Sequence, residues 1–486
     1  MTRLRHAPRR LCAIALAVSL PLSAPASAAT SDYHLPSLGG VPHAASSKEE
    51  RLGRAWLRQF RAQAPQWQDP IAHYYLDRLI ARLAPHSGIS GQVPISVMVD
   101  NDSLNAFAVP GGVIGINAGL YAFAPDEGAF ASVLAHELGH LAQRHFARSS
   151  ERAGQTQLPT MAAMLAGMVL AASGAGSAGL ATAMGSQAAM LQDQLRYSRR
   201  FEQEADRVGM KTLAEAGYPP ADMVRMFKAM QRMARLQGDT PPEFLLSHPV
   251  SESRLSDAQS RAAQLSVADT HQDDTRYDMV RARALLHLHA NDPQQALITL
   301  RQDDAAAAAI SYLEALIDAD RGQTQRALDR LDRLADEHPD LGLLPASAAS
   351  IALDARRVDD AMSRSRRLLR FMPGYLPAQL TLAEAQLSRD PQAAYRLLRD
   401  VTSQHPEDPS GFTLLAEAAG RSGRTAEGRL ARAEYLQLTG RIDKGIRQLD
   451  LARDAARGSN NPGLEARIES RREAFIEYRD ALDEFS

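Results

Sequence analysis

The chain runs to 486 residues, 45% hydrophobic and 23% charged, with a formal net charge of −2. This is the make-up of a globular protein with material for two or three domains. A near-neutral chain without a basic excess does not steer nucleic acid, which excludes that class of partner, and the one cysteine, Cys12, leaves everything after it unable to form a disulfide.

Residues 1–28 read as a cleaved targeting segment. Arg3, Arg5, Arg9 and Arg10 form a basic start, Leu11 to Leu22 an apolar core, and Ala26-Ser27-Ala28 a small-x-small cleavage site. The apolar core is too short to span a bilayer, so export with removal of this segment is expected. Loss of the four arginines would take the net charge from −2 to −6. From Ser47 to about Pro85 the pattern is helical, with Leu52, Trp56, Phe60, Tyr75, Leu76, Leu79 and Leu83 as core positions. Gln92 to Val99 alternates as a strand does. Phe107 to Val109 and Val113 to Ile116 read as two more strands around the turn Pro110-Gly111-Gly112.

Pro125 to His145 reads as one helix. Asp126 and Glu127 suit its positive end, and Phe130, Val133, Leu134, Leu138 and Leu141 form an apolar stripe. Within it lies His136-Glu137-Leu138-Gly139-His140. Four residues turn a helix by about 400°, so His136 and His140 project from nearly one face and can share a metal ion. Glu137 beside them can accept a proton from the attacking water. A hydrolytic zinc site usually has a third protein ligand and an open position. The extended form of the motif is absent, since Gln143 and Phe146 stand where its glycine and third histidine would be. His145, roughly 140° further around such a helix, points away and is expected to be exposed or partly packed.

The stretch from Gln155 to Met190 is rich in Ala, Gly, Met, Ser and Leu. It reads as an apolar lid or membrane contact, or as a buried helix. The next helical segment carries Phe201-Glu202-Gln203-Glu204-Ala205-Asp206. Glu202 and Asp206 share a face, so one carboxylate can bind the metal while the other orients a ligand histidine; Glu204 points away from them. A helix around Met223 to Leu236 and a loop at 238–242 lead to Ser247-His248-Pro249. The polar stretch from Ser266 to Thr275 marks a domain boundary. Beyond it, Pro339, Pro373 and Pro406 close helices at spacings of 34 and 33, and Ala296, Ala327, Ala361 and Ala394 recur at 31, 34 and 33. That period marks tetratricopeptide repeats. About four such units would stack into a curved solenoid with a concave binding surface, and the tail from Gly458 to Ser486 would cap it. The expected fold is therefore mainly α. A zincin-like α+β metallopeptidase domain with a small sheet occupies 29–270, and an all-α repeat solenoid occupies 271–486.

The HELGH at 136–140, the E-x-E-A-D at 202–206, and the later His248-Pro249 and Arg254 together resemble the M48 family of zinc metallopeptidases. The resemblance implies one Zn2+ held by His136, His140 and Glu202, with Asp206 in support. It further implies an edge strand near the metal, matched by Asn105 to Val109, where substrate adds as an extra strand; plain sheet core is the alternative. Glu137, Asp206, His248 and Arg254 form the expected catalytic group. His248, held extended by Pro249, could take the open metal position and gate the site, and Arg254 could contact the substrate backbone or the developing oxyanion. By the same resemblance the clients are misassembled outer-membrane β-barrel proteins and the partner is the barrel-assembly machinery, reached through the repeats, with peripheral membrane contact. The rival expectation is a chaperone or adaptor working through its repeats, with a mostly latent peptidase.

Overall fold

The computed structural model describes residues 43–89, 94–152, 188–237, 243–267, 274–458 and 461–485. The expected targeting segment and nearly all of the 155–190 stretch lie outside these residues. The described chain opens with α1 (His43–Gln63) and α2 (Pro70–Leu83). Pro70 pre-sets the first turn of α2, and the Asp69 side chain accepts from the backbone N–H groups of Ile71 and Ala72.

A three-stranded sheet follows: β1 (Ile95–Val99), β2 (Ala106–Val109) and β3 (Val113–Asn117), in the order β1-β3-β2. β1 is parallel to β3 and β2 antiparallel to it. Gly111 and Gly112, at φ 81 and 77, make the left-handed turn between β2 and β3 that other residues rarely adopt. Both faces of the sheet are covered. Val97, Val99, Phe107 and Val109 pack on Leu52, Trp56 and Phe60 of α1. Met98, Ala106, Ile114 and Ile116 face the main core, which holds the HELGH helix.

After the short α3 (Ala118–Phe123), the helix expected over 125–145 proves to be two, α4 (Glu127–Ala142) and α5 (His145–Arg152). Asp126 is the N-cap and accepts from the Ala129 N–H at 2.8 Å, so Pro125 precedes the helix. The apolar stripe on the main core ends at Leu141, and the next large apolar side chain, Phe146, packs against the α1 cluster instead. Arg144 turns to φ 51 and pairs with Glu49 of α1. The helices α6 (Ala188–Glu215), α7 (Ala221–Gln237), α8 (Glu243–Ser247) and α9 (Glu252–Ala262) complete this part. α6 lies directly on α4. A Cβ on Gly139 would stand 2.7 Å from the carbonyl oxygen of Ala205, and one on Gly209 would stand 3.1 Å from that of Ala135. The two helices meet backbone to backbone because those positions carry no side chain.

Twelve helices then run as six pairs among the described residues. They are α10 (Asp274–Leu288) and α11 (Pro293–Gln302), α12 (Ala307–Asp320) and α13 (Thr324–Glu337), α14 (Leu343–Asp354) and α15 (Val358–Phe371), α16 (Leu376–Leu387) and α17 (Pro391–Gln404), α18 (Pro409–Arg421) and α19 (Thr425–Leu438), and α20 (Ile442–Gly458) and α21 (Pro462–Phe485). The first helices start at steps of 33, 36, 33, 33 and 33 residues. Ala296, Ala327, Ala361 and Ala394 are all fully buried in second helices. The alanine pattern marks four pairs; α19 keeps the period with Gly428 in place of the alanine.

The repeats are joined to the preceding part of the chain at both ends. In α10, the Tyr277 hydroxyl donates to the Ala124 carbonyl at 2.8 Å, and its ring packs beside Tyr121 and Phe130. Arg281 donates to the carbonyls of Tyr121 and Ala122, both at 2.9 Å. At the far end, α1 meets the last pairs: Arg58, 1% exposed, donates to Gln437 at 2.5 Å and lies over the Tyr478 ring at 4.3 Å.

Because the first helix beyond the polar boundary packs in the core of α4, a chain ended at Asp273 is expected to melt well below the full chain. Tyr277→Ala in the full chain should cost about 3–5 kcal/mol, the usual range for emptying a buried aromatic site. A soluble 29–273 fragment with a cooperative transition near that of the full chain would overturn this.

Candidate metal centre

The contact between α4 and α6 brings four side chains to one point. His136 and His140 project from α4 and Glu202 from α6, and His248 reaches in from the end of α8, where its N–H donates to the Phe244 carbonyl at 2.7 Å. One ligand atom from each lies within 4.8 Å of the others. His136 Nε2 is 3.0 Å from His140 Nε2, 3.4 Å from a Glu202 oxygen and 3.4 Å from His248 Nδ1. Glu202 is 3.4 Å from His140 Nε2 and 3.1 Å from His248 Nδ1. A tetrahedral ion with bonds of about 2.0–2.1 Å keeps its ligand atoms roughly 3.3 Å apart, so this spacing fits one.

The charge balance points the same way. Glu137, Glu202 and Asp206 are buried with only Arg254 as a buried cation among them, all four at most 3% exposed. With the histidines neutral, as metal ligands are, three carboxylates against one guanidinium leave two negative charges, which a divalent cation would neutralise. Burial opposes charge on His136, but the Asp206 and Glu202 carboxylates outweigh it and push its pKa up to about 10. The centre draws positive charge.

Behind the ligands stands a supporting layer. Asp206 Oδ1 lies 2.9 Å from His136 Nδ1. Arg254, in the first turn of α9, grips both Asp206 oxygens at 2.7 Å, reaches Glu202 at 3.0 Å, and donates to the Pro249 carbonyl at 2.9 Å. It therefore ties the His248 loop to α6, and its guanidinium is committed to carboxylates instead of facing the open side of the centre. Burial alone would raise Asp206; the Arg254 charge and hydrogen bonds hold it below the usual carboxylate range.

Glu137 is 1% exposed, and its Oε1, 3.7 Å from His248 Nε2, has no hydrogen-bond partner. Burial pushes its carboxyl up against the pull of His248 and His136. A buried carboxylate with a free oxygen beside a metal site is placed to take a proton from water.

His145 departs from the expectation. His145 is buried and turned toward the centre, its Nδ1 3.0 Å from His140 Nδ1, because the break at 143–144 puts it on a second helix. Burial pushes its pKa down to about 4. Glu204 does face away from Glu202 and Asp206, but it receives His145 Nε2 at 3.2 Å. The one sequence signal for this pair was the end of the apolar stripe at Leu141.

The Peptidase family M48 profile matches residues 70–262. The β-barrel assembly-enhancing protease of Escherichia coli is 32% identical over 450 residues, 90% of this chain and 90% of that one. Its counterpart from Yersinia pestis is 31% identical over 423 residues, 85% of this chain and 86% of that one. The mitochondrial metalloendopeptidase OMA1 of Arabidopsis thaliana is 27% identical over 219 residues, 43% of this chain and 37% of that one.

Because Asp206 is held low in the folded state, its stabilisation is complete above the unfolded value near 3.9 and is lost as pH falls through its folded value. In metal-stripped protein, the melting-temperature gap between wild type and Asp206→Asn should hold steady from pH 7 to about 5 and narrow below about 4. A gap that widens in acid would contradict the Asp206–Arg254 pairing.

Proposed function

Because the chain belongs to peptidase family M48, together with the β-barrel assembly-enhancing proteases, we propose that it is a periplasmic zinc metalloendopeptidase that degrades misassembled outer-membrane proteins and supports β-barrel assembly. The observation that carries the reading is the convergence of His136, His140 and Glu202 beside a buried Glu137 with a free oxygen. That the chain is a metallopeptidase follows from its family. Zinc is the ion that two imidazoles and a carboxylate at this spacing suit best.

His136, His140 and Glu202 would hold the ion, which, when bound, supplies the Lewis acidity that polarises a peptide carbonyl and acidifies water. Glu137 takes the proton from the attacking water and later delivers it to the leaving amine. Asp206 orients His136, and Arg254 holds Asp206 and Glu202 in place. A substrate segment can add along β2, which ends the sheet and packs beside α4. The repeats, assigned to 271–486, would hold clients or the assembly machinery on their helical surfaces. Among the described residues no helix is long and apolar enough to cross a membrane.

His248 sits within 3.4 Å of two of the three other candidate ligands, where it would fill the position that water needs. It acts as a gate, and a client that moves the 248–250 loop opens the site. The chaperone reading is the rival, and the position of His248 against His136 and Glu202 is the observation that favours it.

Glu137→Gln should retain metal and lose casein degradation by several orders of magnitude. If that variant still restores barrel assembly in cells, the chaperone reading takes precedence. His248→Ala should keep its metal through the other three ligands and raise proteolysis, self-cleavage included. Unchanged or lower proteolysis at full metal content would remove the gate.

A further inference from the structure

A ligand histidine is fixed by what its second ring nitrogen meets, because that partner selects the tautomer and the ring angle. For His136 the partner is Asp206. For His140 it is neither a carboxylate nor a backbone carbonyl but another imidazole. His140 turns Nε2 toward His136 Nε2 at 3.0 Å and Nδ1 toward His145 Nδ1 at 3.0 Å. The far nitrogen of His145, Nε2, faces Glu204 Oε2 at 3.2 Å. Glu204 is itself held by Arg148 Nη1 at 2.7 Å and Arg200 Nε at 3.1 Å. His145 is 4% exposed and stacks on Phe201, ring centroids 4.2 Å apart and planes 17° apart. It has little freedom to turn away.

The proton positions along this chain follow from one end. With a cation at Nε2, the only proton of His140 is on Nδ1, and it donates to Nδ1 of His145. That nitrogen must then carry a lone pair, so His145 keeps its proton on Nε2 and donates it to Glu204, an acceptor only. Each link permits one tautomer of the next. We propose that His145 and Glu204 are positioning residues for the metal centre, a two-step relay that fixes the tautomer and orientation of His140 and raises its affinity for the ion. The proposal rests on the metal reading of the site given above. The helix break is what makes the relay possible: on an unbroken α4, His145 would project away from His140, and Arg144, paired with Glu49, holds the turn that brings it back.

The test is metal affinity of the full chain, read by competition between metal-stripped protein and a chelator for Zn2+, with the visible spectrum of Co2+-loaded protein as a second reading. His145→Phe keeps a ring against Phe201 and removes the acceptor, and should weaken Zn2+ binding about 10- to 100-fold and shift the Co2+ bands. His145→Asn, whose amide oxygen can stand near the Nδ1 position, should recover most of that loss. Glu204→Gln should weaken binding severalfold in the wild-type background and have no further effect in His145→Phe, because it acts through His145. Wild-type affinity in His145→Phe, or equal Glu204→Gln effects in both backgrounds, would overturn the relay. If His145→Phe does not fold, Glu204→Gln alone decides, and an affinity within twofold of wild type overturns it. A wild-type chain that binds no stoichiometric Zn2+, or binds it without His136 and Glu202, would instead overturn the metal reading itself.

Discussion

The approach of α4 to α6 is the constraint on which the site depends. Two helices in ordinary contact are held 8–10 Å apart by their side chains. Here Gly139 and Gly209 remove that spacer, and a Cβ at either place would collide with backbone across the contact. The histidines of one helix and the carboxylate of the other can then converge on a point only one ion wide. A centre with two excess negative charges is expensive to bury. It can be assembled because the surrounding helices hold it by packing that does not depend on the charges: Phe130, Leu134, Leu138, Met210 and Leu213 are all fully buried around it.

Arg254 extends this arrangement from two helices to three. By binding Asp206, Glu202 and the Pro249 carbonyl, it ties α9 and the His248 loop to the carboxylates of the candidate centre. The repeats are coupled to the same core by α10. One side of that helix, through Tyr277 and Val280, belongs to the core of α4, and the other, through Met279 and Leu285, belongs to the first repeats. Displacement of the first repeats would have to strain or break the hydrogen bonds of Tyr277 and Arg281 to the α3 region. Close-packed interiors resist such strain.

Much of this was legible in the order of residues. The metal-binding spacing, the shared face of Glu202 and Asp206, the strands about Pro110 and the period of the repeats all express local geometry, which sequence encodes directly. Three features were not. The end of α4 depended on Arg144 finding Glu49, distant in sequence and unmarked by any helix-stop residue, and with it went the direction of His145. Two of the helix pairs lacked the recurring alanine and kept only the length. The polar stretch near 270 reads as a boundary, but polarity does not report that Tyr277, just beyond it, packs beside the stacked rings of Tyr121 and Phe130. The first and third turn on contacts between elements far apart in the chain, where tertiary packing overrides the local pattern.

The meeting of Arg58 with Gln437 joins residues separated by 379 positions, and it sets an order of assembly. α1 is made early and can settle its Leu52, Trp56 and Phe60 face on the sheet as soon as β1 to β3 exist. Its arginine face waits first for Glu407, which pairs with Arg54 and Arg58 at 3.7 and 3.6 Å, and then for α19 and α21, almost at the end. Contacts at such separation form late and slowly, since the intervening chain must first be ordered. A chain interrupted before α19 would leave Arg58, 1% exposed in the finished protein, without Gln437 and Tyr478 beside an unclosed solenoid. For a protein that carries its own peptidase, this makes completion of the last helix the event that seals the molecule, and an unfinished copy distinguishable from a finished one at its first helix.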